Sequence, residues 1–239
     1  MPDLIISALG QHRPNGSNRH GDRRYPFVLI MSLSGLLSAL ITDLIGYFGS
    51  TAHFPTQLLG LVFGVIVMTA LWVSGASRRI FGGTLAIIVI TAAYWAAFVT
   101  TAEVELKLPW ESWSMGSQPT VSPVSLFAGG LVGSLLVLGA IFLAVPLRER
   151  KGKLQLTCLF WPLLGGLLGV IGWDLGPLLG TLFWHLIHGL GFTSPADTPA
   201  TIRYGDTQHF YSLFLVWQTG MGLSLGIMLD KFLQRSGQR

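Results

Sequence analysis

Charge is what this chain has least of. Asp, Glu, Lys and Arg make up 11% of its 239 residues, where a soluble domain carries about 25%. So few charges, beside 51% hydrophobic residues and 30 glycines, point to a polytopic helical membrane protein. Cysteine is nearly missing as well. Cys158 stands alone, which excludes a disulfide within the chain and any two-cysteine metal or redox motif. There is no zincin H-E-x-x-H, no P-loop, no rhomboid-type serine motif and no dense histidine box. An embedded hydrolase or oxygenase has no visible machinery, so the expectation is a protein without catalysis of its own. The net charge of +4 does not argue for nucleic acid, because the basic residues are scattered between apolar runs.

Six apolar runs are present, roughly 27–49, 57–77, 80–101, 124–146, 154–175 and 210–232. Each is long enough to cross about 30 Å of hydrocarbon at about 1.5 Å per residue. None has the period-two alternation of a barrel strand. With the N-terminus placed in the cytoplasm, the outer side keeps only Lys107 and Arg203. The other 13 of the 15 basic residues, from Arg13 to Arg239, then lie inside, as the positive-inside rule requires. The apolar opening "MPDLIISALG" is too short to span, and no cleavage signature follows it. Residues 1–26 are therefore expected to be a cytoplasmic tail, 27–232 a transmembrane domain and 233–239 a second cytoplasmic tail.

One further apolar stretch, "LGPLLGTLFWHLIHGLGF" (175–192), does not fit six crossings. A seventh crossing would put the basic C-terminus outside. The expected fold is therefore all-α: a polytopic bundle of six transmembrane helices plus a re-entrant or interfacial outer helix over 175–192, in the cytoplasmic (inner) membrane.

Small residues recur at helical spacing. Gly60 and Gly64, Gly129 and Gly133, and Gly222 and Gly226 each form GxxxG. Gly165, Gly169, Gly172, Gly176 and Gly180 fall within about 80° of one helix face. Such faces let helices approach closely, within the bundle or against a membrane partner, with lipid as the other neighbour.

The polar residues inside or near the spans are the candidate site. Asp43, in "LITDLIGYFG", lies within the first run, where an aspartate costs about 2.5–3.5 kcal/mol on insertion scales. Asp174 falls at the mouth of the fifth run, where water reaches it. His53, His185, His188 and His209 all map to the outer side. His185 and His188, at i and i+3, can share a ligand only with a third group, and His53 is the expected partner. If the fifth helix ran on through Gly176 and Pro177, Asp174, His185 and His188 would share the face opposite the glycines. Pro177 argues against that continuity.

In outline the layout resembles the six-span haem-handling proteins of cytochrome c maturation. The matching features are His53 with Pro55, Trp110 and Trp113 in "PWESWSMG", and His188 or His209. That resemblance implies haem ligation by outer histidines. The family's middle loop is a dense tryptophan–aspartate signature, where this chain has "WESW". Three readings stand. The first is a protein that binds or transports a small solute or ion in the outer half of the bundle, at Asp43, His53, His185, His188 and His209, with Trp110 and Trp113. The second is a haem-handling factor. The third is an accessory subunit without chemistry. The cofactor stays open between haem and a divalent metal, the metal set being His53, His185 and His188.

Overall fold

The computed structural model describes residues 24–48, 56–77, 79–107, 121–145, 151–190 and 206–235. Side chains at several helix ends and those of Trp184, Ile187 and His188 are excepted. The described residues form six α-helices: α1 (Arg24–Phe48), α2 (Thr56–Val73), α3 (Ile80–Lys107), α4 (Pro123–Ala144), α5 (Lys151–Gly189) and α6 (Asp206–Arg235). The all-helical bundle read from the apolar runs is thus the observed architecture. Each helix packs on its chain neighbours, and α6 closes the ring on α1. The joins from α1 to α2, α2 to α3 and α4 to α5 are short, and a chain that turns back soon must lie beside itself.

Five helices are long and apolar enough to cross a membrane, through windows Phe27–Ile45, Ile80–Lys107, Pro123–Ala144, Phe160–Phe183 and Ser212–Lys231. The apolar part of α2, Gln57–Val73, has a length of only about 26 Å. The turn after α2 is built by Gly75, whose φ of 72° suits a residue without Cβ. Ser74 N donates to Ala70 O at 3.0 Å. Ser77 Oγ donates to the terminal carbonyl of α4, Ala144 O, at 2.8 Å. That bond satisfies a carbonyl the helix cannot use itself.

The structure departs from the expected layout in α5. The separate outer helix expected over 175–192 is, as far as Gly189, the C-terminal part of one 39-residue helix that contains both Pro162 and Pro177. Proline removes one intrahelical bond and crowds the residue before it. Gly176 before Pro177 has no Cβ to clash, but the helix passes Pro162 behind Trp161 as well; its packing on α4 and α6 carries it through both. Gly180 lies beside Asp43, because a Cβ there would sit 3.9 Å from Asp43 Oδ1. Above that level α5 has nine residues left and α1 has five, about 14 Å and 8 Å. The extra length of α5 therefore falls mostly at its N-terminal end.

The glycine faces are filled by the chain's own helices. A Cβ on Gly165 or Gly169 would strike α4 at Ser134 or Leu126 O, and one on Gly172 or Gly176 would strike α6 at Leu213 O or Ser212. Gly60 and Gly64 face α3, as do Gly129 and Gly133, while Gly222 and Gly226 face α1. These faces were expected to serve either the bundle or a partner; they serve the bundle. In the middle of the ring, Phe63 of α2, Tyr94 of α3 and Phe214 and Trp217 of α6 pack together, with centroid separations from 5.3 to 6.0 Å. Trp217 Nε1 donates to Gly165 O of α5 at 3.1 Å.

Candidate functional site

Asp43 is buried at 5% exposure, about 8 Å from the C-terminal end of α1. Ser212, about 9 Å into α6, donates from Oγ to Asp43 Oδ1 at 3.4 Å. The antiparallel run of α1 and α6 places both at one depth. Gly180 of α5 completes the junction: a Cβ there would press on Ser212 Oγ at 2.9 Å. The second carboxylate oxygen, Oδ2, has no hydrogen-bond partner.

One residue back along α1, Thr42 meets Gln218 of α6. Gln218 Nε2 donates to Thr42 Oγ1 at 3.2 Å, and the same hydroxyl lies 3.4 Å from Gln218 Oε1. Both residues are fully buried. The Tyr94 hydroxyl is buried on the Gln218 side and completes no hydrogen bond. Ser38 Oγ, one turn below Thr42, and Thr219 Oγ1, next to Gln218, are also buried and unpartnered. The arrangement thus collects one carboxylate, several hydroxyls and one amide inside apolar helices. A buried unpaired polar atom costs about 1–3 kcal/mol, more if charged. Of these unpartnered atoms only Oδ2 belongs to a carboxyl, and that one needs a reason beyond packing.

The expected site residues fare differently. Asp43 faces its neighbours in the bundle. His185 is exposed on α5. It shares its helix face with Leu175, Leu178 and Leu182, all exposed, and with exposed Asp174. That face lies opposite the glycines, as a continuous helix requires. His188 and His209 lie on α5 and α6, but their side chains are outside the described residues, as are His53, Trp110 and Trp113 altogether. Among the described residues, no three of His, Cys, Asp and Glu cluster closely enough to hold a metal.

Ser212, Gln218 and Tyr94 were not anticipated from the sequence. Gln218 carried a usable signal, because an amide in the middle of an apolar run is as anomalous as an aspartate. A second buried acid, Asp230, also lies on α6. It stands 18 residues from Ser212, about 27 Å along the axis, and is a separate feature. The chain matches no protein-family model, no curated protein and no solved structure.

Proposed function

We propose that this is an integral membrane protein that binds or transports a small solute or ion at a polar site in the outer half of its bundle. The observation that carries the reading is the bare Oδ2 of Asp43, held beside Ser212 where α1, α5 and α6 meet. An intramembrane carboxyl is retained against its insertion cost chiefly when something must be bound or moved. In this reading all six helices cross, α2 included, since seven residues join it to α1 and a tight turn joins it to α3. Both termini then face the cytoplasm, where the basic residues gather.

The haem-handling reading rests on His53, His188, His209, Trp110 and Trp113 and draws no support from His185, which stands on a leucine face. The accessory-subunit reading loses the glycine faces as docking surfaces, because the chain's own helices occupy them.

Access to the junction is the test. In a Cys158→Ala background, which removes the natural cysteine, Ser212→Cys should react with a small membrane-impermeant methanethiosulfonate added from outside. A thiol at 212 that reacts only after denaturation would mean a sealed core, and the reading would fail.

A further inference from the structure

We propose that the ligand at Asp43 is a single alkali cation of sodium's size, and that it shares the carboxylate with a proton. This rests on the solute-site reading and narrows it to one chemistry.

The donor set comes first. At Asp43 the available atoms are oxygens: the two of the carboxylate and Ser212 Oγ. Hard oxygen donors suit alkali and alkaline-earth ions, whereas imidazole and thiolate suit transition metals.

Charge decides between one and two. Asp43 is the only Asp, Glu, Lys or Arg in the described window Phe27–Ile45 of α1. Of the groups on elements packed around it, Asp174 and His185 lie exposed on the opposite face of α5. Tyr94 of α3 is uncharged as a phenol. Asp230 is about 27 Å away along α6 from Ser212. The side chains of Asp206 and His209 are outside the described residues. One carboxylate with one monovalent cation is neutral. A divalent ion would leave an uncompensated positive charge in an apolar bundle, which is costly.

Size follows from distance. Sodium has nearly the radius of calcium, whose oxygen ligands sit at about 2.3–2.6 Å. Two such ligands at a right angle about a cation stand about 3.4 Å apart. Asp43 Oδ1 and Ser212 Oγ are 3.4 Å apart. Magnesium, at about 2.0–2.1 Å in an octahedral shell, needs oxygens about 2.9 Å apart.

The exchange balances. When the cation binds, the carboxyl O–H bond breaks and its proton leaves to water. Oδ1 and Oδ2 become a carboxylate, and the cation replaces the lost charge. Without the cation the proton returns. Either state is neutral, which is the condition for staying buried.

Dicyclohexylcarbodiimide tests this, because it modifies protonated carboxyls from the apolar phase. On the full-length protein in detergent, mass spectrometry should find the adduct on Asp43 in choline chloride, rising as pH falls. Sodium chloride at equal ionic strength should suppress it. Competition with a proton requires the sodium needed for half-protection to rise about tenfold per pH unit once the carboxyl is mostly protonated. Ser212→Ala should keep the adduct and weaken sodium protection, while Asp43→Asn should lose the adduct. An adduct on Asp43 that sodium does not alter overturns the cation while leaving the solute site standing. Protection by calcium at far lower concentration overturns the monovalent assignment. No adduct at any pH, in a protein whose Ser212→Cys thiol reacts, overturns the sharing with a proton.

Discussion

Two carboxylates near the same end of the bundle do opposite things. Glu105 of α3 accepts from Ser122 N at 2.9 Å and from Ser125 Oγ at 2.6 Å. Ser122 is itself the N-cap of α4, its hydroxyl accepting from Val124 N and Ser125 N. The negative group thus sits where the backbone N–H groups of Ser122, Val124 and Ser125 lack helical partners and where the helix dipole favours it. Asp43, by contrast, receives one long bond from Ser212 and leaves Oδ2 bare. Glu105 needs nothing further, whereas Asp43 is incomplete until a proton or a cation arrives. A carboxylate in a membrane protein is therefore read by its donors and not by its depth alone.

The largest effect expected comes from the seam that holds Asp43 in place. A Cβ on Gly35 would lie 2.5 Å from Gln218 O and 3.0 Å from Gly222 Cα, so Gly35→Leu must force α1 from α6. Overpacking costs about 1–3 kcal/mol and occasionally more, and backbone-on-backbone contact belongs at the upper end. Gly139 has nothing within 4 Å of its added Cβ, so Gly139→Leu should melt like wild type in detergent. Equal melting of the two variants would show that α1 and α6 do not pack as described. Gly169→Leu and Gly172→Leu should behave like Gly35→Leu, each facing a carbonyl at 2.8 Å.

Next comes Glu105→Ala. It removes acceptors from the start of α4, and losing a cap costs about 0.5–2 kcal/mol. Thermal unfolding should show the loss, and sodium protection of Asp43 should be untouched. Asp43→Asn should fall below that. It keeps an acceptor for Ser212 and removes an incomplete acid, so stability without sodium should stay within about 0.5 kcal/mol of wild type or rise. The smallest effect belongs to His185→Ala. An exposed side chain changes stability by about 0.5 kcal/mol or less, and carbodiimide labelling should not change. A lost sodium effect in His185→Ala would bring the histidine back into the site.

The helices were legible because crossing a membrane demands long apolar runs, and those leave a plain trace. The glycine stripe of α5 was legible for the same reason, as a face with a fixed period. Its continuity was not. Pro177 reads as a break, and the packing of α5 on α4 and α6 that carries the helix through it has no local signature. Asp43 announced itself by its cost. Its partners did not, because Ser212 lies 169 residues away and a serine in an apolar run is unremarkable until another helix brings it to a carboxylate. Glu105 lies past the end of the third apolar run, where nothing local marks it. Its helical position and its role at the start of α4 depend on the α3–α4 pairing, which no local pattern encodes.

The central claim is that Asp43 is a binding carboxylate and Glu105 a structural one. Melting temperatures of wild type, Asp43→Asn and Glu105→Gln, measured at pH 8 in choline chloride and again in sodium chloride, test it most directly. A ligand that binds only the folded state raises its stability by mass action. Wild type should melt higher in sodium. Glu105→Gln should melt lower in both salts yet keep the sodium increment, and Asp43→Asn should match wild type in choline and lose the increment. An Asp43→Asn protein that melts well below wild type in choline and still gains in sodium would contradict the account.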